Sequence, residues 1–278
     1  MTGNPFARVG LAFGMVLSLL GPRVSAAVST EEPSVVIELF TSQGCSSCPP
    51  ADRLLTRLGR GEALEGVQVV ALSFHVDYWD SIGWKDPFSS AEWSKRQRLY
   101  AKAFDLDSIY TPQLVVQGNA QMIGSDESEV LRQIQRAANE ATDPPSLGLE
   151  ASLVRHDRIE VTVEVAIPAP LEEGGRDVWV ALFEEDLDTA VERGENSGRR
   201  LHNDFVVRDL RKAITVVPES EVRASSTITL QIEPEWQREG LGLAAFVQDP
   251  TSLRILAAST LRHVGTSDDH EASRHAAR

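Results

Sequence analysis

Cys45 and Cys48 are the two cysteines of this 278-residue chain, set in the stretch Gly44-Cys45-Ser46-Ser47-Cys48-Pro49-Pro50. Two thiols at this spacing can open and close a disulfide, hold a soft metal ion, or form a permanent bridge. An apolar run, Val35-Val36-Ile37-Glu38-Leu39-Phe40, leads into the pair, and a helical pattern from Asp52 to Leu58 leads away from it. Free N–H groups at a helix start stabilise a thiolate and make the thiol more acidic. On this reading Cys45 is the exposed nucleophile and Cys48 resolves the mixed disulfide. A permanent bridge explains less, because closing so short a loop contributes only about 2 kcal/mol. The metal alternative joins Cys45 and Cys48 to His75 as ligands for Cu(I) or zinc. It would make the chain a non-enzymatic, periplasmic copper-binding or metal-delivery protein. Structural zinc takes four ligands, no second Cys-x-x-Cys is present, and no methionine near the motif adds a thioether. The redox reading needs no cofactor and no metal.

The elements around the pair follow from hydrophobic spacing. Val67 to Phe74 is a nearly unbroken apolar run, as expected of a strand covered on both faces. With the run before the cysteines it makes a strand–helix–strand crossover between parallel neighbours. The loop from His75 to Pro87 carries Tyr78, Trp79 and Trp84, whose amphipathic rings suit a substrate-binding rim. A helical pattern runs from Ser89 to Phe104. Thr111-Pro112 opens a strand over 113–117, Gly118-Asn119 turns it, and 120–123 returns. Ser125 is the expected N-cap of a helix from Glu127 to Glu140.

Asp143-Pro144-Pro145 punctuates a linker at 142–147. Beyond it the period becomes two, with Ile159, Val161, Val163 and Val165 alternating with polar residues. Short strands near 178–183, 205–208, 213–217, 226–232, 243–248 and 254–258 suggest a β-sandwich over 148–263, followed by a disordered polar tail at 264–278.

Charge and the N-terminus limit the setting. Forty-one acidic residues against 27 basic ones leave a net charge of −14, which repels phosphate backbones and argues against a nucleic-acid partner. Arg8, the apolar stretch from Val9 to Leu20 and Val24-Ser25-Ala26 read as a signal peptide over 1–26. The apolar stretch is short for a membrane span, so no stable insertion is expected after cleavage. Export places the thiols in an oxidising compartment, secreted or periplasmic in a bacterium.

Residues 34–140 resemble the thioredoxin superfamily in their order: strand, Cys-x-x-Cys at a helix start, strand, helical insertion, Thr-Pro before a hairpin, final helix. Six longer stretches resemble one secreted bacterial branch, the domain-of-unknown-function family DUF1223. They are Phe40 to Asp52, Phe74 to Asp80, Gly83 to Phe88, and Arg193-Gly194-Glu195-Asn196 with Val206-Val207-Arg208 and Phe246 to Asp249.

The resemblance implies an α/β thioredoxin-like domain with a helical insertion over 32–141, followed by the C-terminal all-β sandwich-like domain. It implies that the Thr111–Pro112 peptide is cis and that Thr111 pairs with a substrate backbone. Pro112, His75, Tyr78 and Trp79 would share that binding surface. It further implies that Glu38, an acid inside an apolar strand, relays protons to the cysteines, although the family spacing is shorter than the seven residues found here. The expected activity is thiol–disulfide exchange with protein thiols or disulfides and with an unidentified redox partner that resets the pair.

Overall fold

The computed structural model describes residues 23–26, 32–141, 144–168, 175–217 and 222–265. The signal-peptide reading therefore lies outside the described residues except for Arg23–Ala26, and the tail beyond Gly265 lies outside them too.

The first half runs β1 (Arg23–Ala26), β2 (Ser34–Thr41), α1 (Pro49–Gly59), β3 (Gln68–His75), α2 (Ala91–Ala103), β4 (Gln113–Val116), β5 (Ala120–Ile123) and α3 (Glu127–Glu140). Pro49 and Pro50 open α1, where the missing N–H groups cost nothing. Ala51, Leu54, Leu55 and Leu58 then bury one face of it. β2 and β3 pair in parallel from Ser34 opposite Gln68 to Thr41 opposite His75. Successive strand side chains point to opposite faces. Thr41 bonds Asp52 of α1, so Glu38, three residues earlier, points to the other face, against α2. α3 is capped by Asp126, whose carboxylate accepts from the Glu129 N–H at 3.1 Å, rather than by Ser125.

The second half runs β6 (Ser146–Arg155), β7 (Arg158–Ile167), β8 (Arg176–Glu184), β9 (Leu187–Ala190), β10 (Arg200–Asn203), β11 (Val206–Val216), β12 (Val222–Gln231), β13 (Leu241–Gln248) and β14 (Ile255–Leu261). β6 begins inside the expected linker. The two expected strands at 205–208 and 213–217 are one strand, β11, with irregularities after Val207 and Lys212.

These halves are not separate domains. One sheet of eight strands, ordered β14-β13-β8-β11-β3-β2-β4-β5, crosses the whole molecule. The join is parallel: Val206 aligns with Ser73, and the Ser73 N–H donates to the Phe205 carbonyl at 2.8 Å. The expectation of an α/β thioredoxin-like domain followed by a separate β-sandwich is thereby overturned. The fold is mainly β, with three α-helices among the described residues.

The reason lies in β8 and β13, which are buried on both faces. Ala181, Phe183, Ala244 and Phe246 join the core that also holds Ile37, Leu39 and Leu55. Their alternate neighbours Val180, Leu182, Leu243, Ala245 and Val247 join a second core, against β6, β7 and β12. A strand of a free-standing sandwich has one wet face; these have none. A four-stranded sheet, β1-β6-β7-β12, carries the far side of the second core, and β9 and β10 form a separate hairpin.

Candidate functional site

Cys45 and Cys48 form a disulfide with Cα atoms 5.5 Å apart. The Cys45 N–H closes a turn onto the Ser42 carbonyl at 3.1 Å. Cys48 immediately precedes α1, and its carbonyl accepts from Ala51 at 2.9 Å and Asp52 at 3.1 Å. The pair thus sits where the sequence places it, at a helix start. Its exposure differs from the expectation: both cysteines are 0% exposed, and only Ser46 and Ser47 between them reach solvent. The open nucleophile is corrected to a covered one, because loops from both halves of the chain close over the turn.

Gln43 is the centre of that closure and is itself buried. Its N–H donates to Asp86 at 2.7 Å, and its side-chain amide donates to Thr189 and Asn203, each at 3.0 Å. Trp84 Nε1 donates to its Oε1 at 3.2 Å. The Asn196 Nδ2, fully buried, donates to the Gln43 and Cys45 carbonyls, each at 2.9 Å. The Glu195 carboxylate accepts from the Ser46 N–H at 3.1 Å and its hydroxyl at 2.7 Å, and these two bonds hold it below the usual carboxylate range.

His75 ends β3, in register with Thr41 and on the same face. Its Nδ1 lies 2.7 Å from Asp86 Oδ2, while its buried Nε2 has no hydrogen-bond partner among the described residues. Burial alone would raise Asp86. His75 beside it, with the N–H groups of Gln43 and Phe88, outweighs that and holds it below its ordinary range. Asp52 stands in the first turn of α1, four residues after Cys48, and its N–H donates to the Cys48 carbonyl at 3.1 Å. Burial pushes its carboxyl up from 3.8 to about 6, against the opposing pull of His75 and of the Thr41 hydroxyl, which donates at 2.7 Å.

The Thr111–Pro112 peptide is cis. Pro112 is buried, and the Thr111 hydroxyl accepts from Trp79 Nε1 at 2.8 Å. Trp79 also backs the cysteine turn: a Cβ on Gly44 would lie 3.3 Å from the Trp79 Cβ. Thr111 and Trp79 are therefore one cluster beside the disulfide. Tyr78 is half-buried, and burial raises its phenol above the ordinary range.

Glu38 is not part of this cluster. It faces α2, where Arg96 Nε donates to it at 2.7 Å and the Tyr100 hydroxyl donates to its other oxygen. Gln248 extends the network to Tyr100 at 3.1 Å. Glu38 points to the sheet face opposite Thr41 and Asp52, which counts against the expected proton relay. Asp52 and Asp86 are buried acids on the other face.

Asp186, His202 and Asp204 form a cluster of metal-ligand types that does not include the cysteines. Arg60 already occupies it, donating to Asp186 at 2.9 Å and Asp204 at 3.3 Å.

Gln43, Asp52, Asp86, Glu195 and Asn196 were not assigned roles by residue type or spacing. All five fall within the stretches that carry the family resemblance, which was their only signal.

The fold and site together define a mainly β protein with a covered Cys-x-x-Cys disulfide at a helix start and a cis-proline nearby. Residues 36–248 match the model of the family described as protein of unknown function (DUF1223), and the chain belongs to that family. A search of the curated proteins finds no match. Among solved structures, the chain is similar to protein AGR_C_4864 from Agrobacterium tumefaciens, at 27% identity and a TM-score of 0.61, over 86% of this chain and 98% of that one. It is also similar in fold to HBP35 of Porphyromonas gingivalis, at 17% identity and a TM-score of 0.58, over 84% of this chain and 76% of that one.

Proposed function

We propose that this protein is an exported thiol–disulfide oxidoreductase acting on protein thiols or disulfides through Cys45 and Cys48. The observation that carries the reading is a closed disulfide at the start of α1 with the buried carboxyl of Asp52, pushed up to about 6 by burial, four residues after Cys48. Arg8 and the apolar stretch to Leu20 support export. The kinship with the thioredoxin superfamily belongs to the same proposal and concerns only the local grouping of β2, α1, β3 and the cis-proline, not the overall architecture.

In the reducing direction the Cys45 thiolate attacks one sulfur of a client disulfide. A mixed disulfide forms and one client thiolate leaves. Cys48 passes its proton to Asp52, attacks the Cys45 sulfur, and releases the second client thiolate. Two electrons have moved from the pair to the client, and the client thiolates take up protons from Asp52 and from water. The oxidising direction runs the same steps in reverse, and the reduction potential of the partner selects between them.

Turnover of insulin disulfides, with Cys45→Ser as control, tests the reading. Thiol-dependent reduction by the native chain and none by the variant is expected. Equal rates would refute it. Mixed disulfides trapped by Cys48→Ala in cells would then identify the client.

A further inference from the structure

We propose that residues 191–199, the loop of the β9–β10 hairpin, form a strap fastened over the cysteine pair, which must lift before a client can react. The proposal rests on the reading of that pair as reactive.

The strap's polar contacts converge on one turn. Asn196 holds the carbonyls of Gln43 and Cys45, and Glu195 holds the N–H and hydroxyl of Ser46. The Cys45 end of the disulfide loop is thereby fastened, and both cysteines are at 0% exposure. Glu195 also brings a carboxylate to the start of α1. Negative charge there takes up the stabilisation that a Cys45 thiolate would otherwise receive. Closed, the strap both covers the sulfur and opposes its ionisation; lifted, it relieves both.

The segment is built to move as a unit. Gly194 and Gly198 both have φ of +79°, a conformation open to glycine, and they bracket Glu195, Asn196 and Ser197. Among residues 191–199 only Val191 and Asn196 are buried. Hydrogen bonds rather than apolar packing hold the strap down. Gly194 lies against Trp84, where a Cβ would come within 3.1 Å of the Trp84 Cβ. The strap therefore rests on the aromatic loop that carries Trp79 and Asp86, so lifting it also frees that loop's edge.

Access to the disulfide can be read without any client. An uncharged reductant, tris(hydroxypropyl)phosphine, attacks one sulfur; water completes the reaction, giving the phosphine oxide and two thiols. The full-length oxidised protein is treated with it, and thiol release is followed. Asn196→Ala is expected to speed release about 10- to 100-fold, the loss of two buried hydrogen bonds, and Glu195→Gln a few-fold. Glu195 is exposed, so Glu195→Gln keeps the fold even if Asn196→Ala does not. Unchanged release in Glu195→Gln would overturn the strap. So would acceleration confined to Trp79→Ala, which removes packing against the cysteine turn at Gly44 and leaves the Asn196 and Glu195 bonds in place. Phosphine reduction reports access to the sulfur and the ease of releasing its thiolate, and needs no client. A strap can thus be established in a protein that turns over no insulin, and insulin turnover can stand while the strap fails.

Discussion

Asn196 stands 151 residues beyond Cys45, yet its side-chain Nδ2 donates to the Cys45 carbonyl at 2.9 Å. The same nitrogen donates to the Gln43 carbonyl at 2.9 Å. The second half of the chain therefore finishes the cysteine turn of the first, as it finishes the sheet beneath it. The C-terminal strands act as part of the site rather than as an appended module.

Residues 32–141 expressed alone should fail to fold. The fragment loses β8, β11 and β13, and with them the buried rings of Phe183, Phe205 and Phe246 from the core beneath α1 and α2. Removing one such ring costs about 3–5 kcal/mol, and three together match the roughly 5–15 kcal/mol that is a typical domain's whole stability. Circular dichroism and denaturant titration of the fragment check this. A cooperative transition would restore the two-domain view.

Asp52→Asn should stabilise the protein at neutral pH and leave it unchanged in acid. The folded carboxyl titrates at about 6 and the unfolded one near 3.8. Between those values the folded state holds the extra proton, so stability falls as pH rises through that window and is level above it. At 1.36 kcal/mol per pH unit the loss reaches roughly 3 kcal/mol, an upper figure for a fully buried group. Asparagine removes the charge and still accepts from Thr41. Urea midpoints measured below and above the window should converge at the acid end and separate at the neutral end.

Arg96→Leu should cost about 3–5 kcal/mol, because it leaves Glu38 buried without its cation. Arg96 also stacks over Phe74, Tyr100 and Phe246, with its guanidinium carbon 5.4 to 5.6 Å from each ring centre. Adding Glu38→Gln should recover part of the loss by removing the stranded charge. A double-mutant cycle in guanidinium measures the coupling, and strict additivity would contradict it.

Gly242→Ala should destabilise by about 1–3 kcal/mol through overpacking. A Cβ there would fall 2.3 Å from Phe183 Cζ and 3.1 Å from the Leu261 carbonyl. Phe183 is fully buried and has little room to swing away. The thermal midpoint reports the change, and no shift would mean that the ring relaxes freely.

Much of the local structure was legible in the sequence. β2, α1, β3, α2, β4, β5 and α3 all lie within a few residues of the spans read from periodicity and turn residues. The reason is that a strand of buried β-branched residues, or a helix with leucines at 54, 55 and 58, shows its environment in adjacent positions. The closeness of Cys45 to Cys48, and of Cys48 to Asp52, is likewise a matter of three or four residues along one backbone.

What the sequence could not decide was which elements meet. β8 and β13 carry apolar residues at nearly every position, a mark of burial on both faces, but such a run does not name its neighbours. Their union with β3 through β11 is a choice among many pairings of similar strands, made by the two cores together. The cover on the cysteines depends on it: Asn196 and Glu195 reach Cys45 and Ser46 only because that sheet brings the β9–β10 hairpin beside α1. Hydrogen bonds between residues some 150 positions apart leave no periodic trace in the chain, and tertiary packing alone decides them.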